Sequence, residues 1–70
     1  MRICVLHRNI PNMLAQISAV VSEAGVNIET MTNRSKKDNA YTVLDIIGEV
    51  PQSIIDGIGA IDGVIRVRKI

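Results

Sequence analysis

Met13, Leu14, Ile17, Val20, Val21 and Ala24 recur at i, i+1, i+4, i+7, i+8 and i+11 between Pro11 and Gly25. That is one apolar stripe of an amphipathic helix, with Gln16, Ser18, Ser22 and Glu23 off it. Pro11 fits the first turn, where its missing N–H costs nothing, and Gly25 supplies the left-handed stop. A continuous apolar run, Ile3-Cys4-Val5-Leu6, ends just before it. Such a run suits a strand in the middle of a sheet. A strand feeding directly into a helix needs a sheet for that helix to cover.

The rest of the chain supplies that sheet. Val26 to Arg34 alternates weakly, with Val26, Ile28 and Thr30 expected on one side and Asn27, Glu29 and Met31 on the other, as in a half-buried edge strand. Ser35 to Asn39 reads as a hairpin loop. Ala40 to Ile47 forms the third strand, with Thr42, Leu44 and Ile46 facing away from Tyr41, Val43 and Asp45, and Gly48 breaks it. Pro51 starts a second helix carrying Ile54, Ile55, Ile58 and Ile61, which Gly57 and Gly59 each weaken by about 1 kcal/mol. Asp62-Gly63 turns the chain into a last strand, Val64 to Ile70. The order βαββαβ implies a ferredoxin-like α+β sandwich: a four-stranded antiparallel sheet, two helices on one face, and the first and third strands central.

Seventy residues make a single domain, 1–70, and a chain of this size buries only about 60% of its unfolded surface. Cys4 is the only cysteine, so no disulfide staples the core, and a reducing, cytoplasmic setting is expected. Hydrophobic residues make up 47% of so small a chain, which implies that some apolar surface is buried against a second copy. No apolar run approaches the roughly 20 residues that span a bilayer, and no signal-peptide pattern opens the chain. A piece of a longer enzyme and a small stand-alone protein both fit its ends. The net charge of +1 gives no electrostatic case for nucleic acid or an anionic membrane. RNA-binding ferredoxin-like domains stack bases on strand aromatics, and Tyr41 is the only aromatic here.

Catalysis finds little support. Cys4 reads as an inert core thiol, and alternation points it to the opposite face from His7. No nucleophile–base spacing, glycine-rich phosphate loop or metal-spaced cluster is present, so no catalytic residue, metal or cofactor is expected in the chain. Lys36-Lys37 reads as a solvated hairpin tip. Arg66 and Arg68 are expected to be solvated or paired on the open face, with Asp45 a candidate partner.

Polar groups do gather at element ends. His7 and Asn9 flank the strand-to-helix loop, and Asn27 follows Gly25. Each has an ordinary reading: a histidine bonded to a carbonyl, a loop or cap asparagine, a turn asparagine. Together they match a small zwitterion. The free N–H groups of a helix start favour a carboxylate, carboxamide oxygens accept from an ammonium group, and an imidazole reaches a carboxylate or hydroxyl. Asn27 opens the second strand and is hard to bring to Asn9 within one chain; a neighbouring copy could present it instead.

The stretch Val5-Leu6-His7-Arg8-Asn9-Ile10-Pro11-Asn12-Met13-Leu14, followed by Gly25-Val26-Asn27-Ile28, resembles the ACT domain. Within that family it is similar to the C-terminal regulatory domain of D-3-phosphoglycerate dehydrogenases, with its His-x-Asn-x-Pro-x-x-Leu and Gly-Val-Asn-Ile stretches. Ala40-Tyr41 through Asp45-Ile46 and Gly63 to Arg68 also resemble its third and fourth strands, so the likeness covers essentially the whole chain. The resemblance implies a homodimer with a continuous eight-stranded sheet and L-serine bound at the interface. His7 and Asn9, with the main chain of Ile10, Asn12, Met13 and Leu14, would come from one copy and Asn27 from the other. It further implies feedback inhibition of serine biosynthesis in a parent oxidoreductase that uses NAD, the 70 residues themselves binding and signalling without catalysing. The alternative is a dimerisation module that keeps the fold with little or no ligand binding.

Overall fold

The computed structural model describes residues 1–70 and has the element order expected: β1 (Arg2–Arg8), α1 (Met13–Glu23), β2 (Ile28–Lys36), β3 (Asn39–Ile46), α2 (Gln52–Gly59) and β4 (Val64–Lys69). The sheet is antiparallel with order β2-β3-β1-β4, so β1 and β3 are central. Both helices cover one face. Ile3 and Val5 of β1 and Leu44 and Ile46 of β3 meet Met13, Ile17 and Val21 of α1 and Ile54 and Ile58 of α2, with Val50 closing the cluster. No helix is long and apolar enough to cross a membrane.

β2 departs from the expected alternation. Ile28 pairs with Ile46, but Thr30 pairs with Asp45, so Glu29 is an inserted bulge residue. Every later residue changes face: Thr30 lies on the helix-free side and Met31 on the helix side, where the Ser18 hydroxyl reaches its sulfur at 3.7 Å. A one-residue offset has that consequence because side chains alternate with period two. The strand is also more exposed than a half-buried edge: Ile28 alone is partly covered. The hairpin is tighter than expected, Lys36 pairing directly with Asn39 across Lys37-Asp38. α1 begins at Met13, after Asn12 in a left-handed conformation (φ 69°, ψ 4°), rather than at Pro11.

The two helix glycines are not equivalent. A Cβ on Gly57 would lie 3.0 Å from Val20 Cγ1, so this glycine lets α2 approach α1 closely. A Cβ on Gly59 would meet only Val67, at 3.9 Å.

The near-neutral chain is strongly polarised by the fold. Strand register puts Arg2, Arg8, Arg34, Lys36, Arg66 and Arg68 on the helix-free face, six of the eight basic residues. Asp45 is the one acidic residue whose strand register faces the same way. It does not serve β4, as the sequence suggested, because Arg2 takes it: Nε donates to Oδ1 at 2.8 Å, and the Thr30 hydroxyl donates to Oδ2 at 2.7 Å.

Candidate functional site

The loop from Arg8 to Asn12 is tied to two neighbouring turns. Arg8 N–H donates to the Gly63 carbonyl at 2.8 Å, and Asn9 N–H to the Asp38 carbonyl at 2.7 Å. The Asn9 side-chain amide donates to the Lys37 carbonyl at 3.2 Å, so this residue fastens the loop to the hairpin and does not cap α1. Gly63 (φ +102°) lies under the loop, where a Cβ would sit 3.0 Å from Ile10 Cδ1 and 3.3 Å from Met13 Sδ. Ile10 N–H turns back to the Arg8 carbonyl at 3.0 Å and is engaged. The N–H groups of Asn12, Met13, Leu14 and Ala15 have no hydrogen-bond acceptor in the chain, and they open the first turn of α1. These are the donors a carboxylate would meet, reinforced by the positive end of the helix dipole.

His7 is buried on the helix side, in step with Ile3 and Val5. Its Nδ1 lies 3.0 Å from the Arg8 carbonyl, which can only accept, so Nδ1 carries a proton. Its Nε2 lies 2.7 Å from Thr42 Oγ1, and that hydroxyl donates to Asn33 Oδ1 at 3.0 Å. Thr42 has one hydrogen; when it goes to Asn33, Nε2 must donate and the ring is the imidazolium. A neutral ring requires the reverse order, with the Asn33 amide rotated by half a turn to donate to Thr42 and Thr42 donating to Nε2. The buried chain from His7 through Thr42 to the exposed Asn33 thus has two directions, one for each charge of the ring.

Thr42 and Asn33 were not singled out in the sequence. One signal was available: a hydroxyl placed among Ala40, Leu44 and Ile46 must find a buried partner. Asn33 was hidden by the β2 bulge, which decides its face.

Asn27 lies at the other end of the sheet. Its carbonyl accepts from Ile47 N–H at 3.2 Å and its residue is exposed. His7 is opposite Ala40 and Ile28 opposite Ile46, a separation of six residues along β3, or about 20 Å. Within one protomer, therefore, the His7 ring turns inward to Thr42, the Asn9 amide turns to the hairpin, and Asn27 lies apart from both. Cys4 lies across the sheet from His7, as alternation implied, lining a depression with Leu6, Tyr41, Arg66 and Arg68.

Neither a protein-family model nor a curated protein sequence matches the chain. Solved structures do. The ACT domain of GTP pyrophosphokinase from Chlorobium tepidum aligns in its crystal form with a TM-score of 0.78 and 23% identity, covering 96% of this chain and 91% of that one. Its solution structure gives the same score and identity over 96% and 80% of the two chains. The C-terminal domain of the MgtC protein from Mycobacterium tuberculosis aligns with a TM-score of 0.74 at 16% identity, over 96% and 80%. At these identities the likeness is one of fold, and the chain has the ferredoxin-like fold of the ACT domain.

Proposed function

We propose that this chain is a non-catalytic regulatory domain whose paired copies bind a small amino acid, L-serine, between the β1–α1 loop of one copy and Asn27 of the other. The observation that carries the reading is the unpaired run of N–H groups from Asn12 to Ala15 beside Asn9. The outer edge of β2 supports it. This strand is nine residues long, almost wholly exposed and open to pairing. Antiparallel pairing of two β2 edges sets Ile28 of one copy opposite Lys36 of the other. The partner's Asn27 then stands at the hairpin whose Lys37 carbonyl Asn9 holds. Pairing there joins two four-stranded sheets into eight strands and closes the 20 Å gap that a single copy leaves.

A ligand held by both copies stabilises the pair by mass action. It regulates an attached enzyme only through a difference in affinity between two arrangements of that enzyme. On the sequence resemblance, the enzyme is an NAD-dependent D-3-phosphoglycerate dehydrogenase and the effect is feedback inhibition in the cytoplasm. A second reading, a dimerisation module without a working pocket, is favoured by one observation: both ring nitrogens of His7 are already engaged in the protomer. In the ligand-binding reading His7 orients the loop through its Arg8 bond and meets the ligand only if Thr42 releases it.

Subunit mixing tests the shared site. Asn9→Ala and Asn27→Ala are each expected to lose serine binding, whereas a mixture of the two regains one intact site per mixed dimer. Absence of recovery in proven mixed dimers would contradict a site built from two copies.

A further inference from the structure

The helix-free face of the sheet combines features that the net charge conceals. Six cations face it against the single carboxylate of Asp45, which Arg2 and Thr30 already occupy. Arg8, Arg34, Arg66 and Arg68 have no carboxylate partner in the chain, Arg2–Asp45 being the only salt bridge. Between them lies a depression of about 140 Å³ with Cys4 and Leu6 in its lining, walled by Tyr41, Arg66 and Arg68. A cavity of about 150 Å³ holds a benzene ring, so the space accepts one planar ring at most. Tyr41 stands on a central strand, 42% exposed and opposite Arg34 of the neighbouring β2. Its phenol pKa is raised, first by interaction of the hydroxyl with Cys4 and then by desolvation, while Arg68 pulls the other way.

We propose that this face binds single-stranded nucleic acid without sequence preference, one base stacking at Tyr41 and the flanking phosphates meeting Arg8, Arg34, Arg66 and Arg68. The chemistry is that of a single-strand platform: one aromatic face per base, planar guanidinium groups for phosphate, and cations spread over more than one nucleotide's length. An acidic peptide would also satisfy the arginines, but every nucleotide joins a planar base to a phosphate, which matches a ring-sized space with guanidinium groups beside it. A folded duplex is disfavoured because the ring lies within the face rather than on a protruding element. The site is on the opposite side of the sheet from α1 and His7, so it stands or falls independently of amino-acid binding.

Fluorescein-labelled 12-nucleotide RNA and DNA are titrated with the 70-residue protein by anisotropy from 20 to 200 mM salt. Tyr41, the only aromatic residue, gives a second signal through quenching of its own emission by unlabelled oligonucleotide. Three or four phosphate contacts predict a slope of log K against log salt of about −2 to −3, and Arg66→Gln/Arg68→Gln makes it shallower by about 1.4. Tyr41→Leu is expected to weaken binding by about 5- to 140-fold at unchanged slope. Circular dichroism and urea melts establish that each variant is folded. No anisotropy change at 20 mM salt would overturn the proposal. So would poly-glutamate or anionic phosphatidylserine vesicles competing as well as RNA, or a Tyr41→Leu variant that binds like the parent, since each means a general polyanion surface without a base site.

Discussion

Two identical substitutions two residues apart in α2 are expected to act in opposite directions. Replacing a helical glycine by alanine ordinarily stabilises by about 1 kcal/mol, through lower backbone entropy in the unfolded chain. Gly59→Ala should show most of that gain, about 0.5–1 kcal/mol, because its new methyl meets only Val67 Cγ2 at 3.9 Å. Gly57→Ala brings a methyl to 3.0 Å from Val20 Cγ1. Valine in a helix has one strongly preferred rotamer, so Val20 cannot swing aside and the helices themselves must separate. Overpacking costs about 1–3 kcal/mol, which outweighs the propensity gain and leaves a net loss of about 0–2 kcal/mol. The two variants should therefore differ by about 2 kcal/mol, against a total stability of about 4–10 kcal/mol for a chain this size. Urea denaturation followed by circular dichroism measures this as midpoints on either side of the parent's. Val20→Ala removes the contacting methyl, and in that background Gly57→Ala should regain its stabilising sign. If Gly57→Ala stabilises as much as Gly59→Ala, the close approach of α1 and α2 is refuted.

Other consequences are as direct. Asp45 is held below the ordinary carboxylate value of 3.8, first by its hydrogen bonds from Arg2 and Thr30. Its contribution is fully present above that value and is lost as pH falls through the lower folded value, so the stability gap between the parent and Asp45→Asn should narrow in acid denaturation series below about pH 4. A gap independent of pH would contradict the pairing. Thr42→Val strands the buried His7 Nε2 and should cost about 1–3 kcal/mol in urea melts despite its matched shape. The Asn12 side chain makes no cap hydrogen bond and its backbone is left-handed, so Asn12→Gly should be near neutral while Asn12→Val costs about 1–2 kcal/mol or more. Equal effects of the two would show that the loop can relax.

Much of this architecture is readable in the chain because its punctuation and periodicity agree. Pro11 and Gly25 bound one helical stripe, Pro51 opens the second, and Ala40, Thr42, Leu44 and Ile46 alternate as the buried face of β3. The placement of His7 also follows from its step with Ile3 and Val5. What was not legible depends on register. Nothing in Ile28-Glu29-Thr30 marks the bulge, since every residue of that strand after Ile28 is exposed and most are polar, so the hydrophobic pattern does not fix the register. Without the bulge, Asn33 cannot be joined to Thr42, nor Arg34 assigned to the face of Arg66 and Arg68. The basic face is hidden for the same reason: a net charge of +1 sums residues that the sheet sorts onto opposite sides. Asn27 shows a different limit, because its relation to Asn9 is a property of two chains.

Calorimetric titration of L-serine into the 70-residue protein, with L-alanine as the control, shows whether paired copies hold a small amino acid at the β1–α1 loop. Heat should saturate near one serine per chain, alanine should give little, and serine should shift sedimentation toward the dimer. A stable dimer with no heat at millimolar serine would contradict ligand binding and leave an association module in its place.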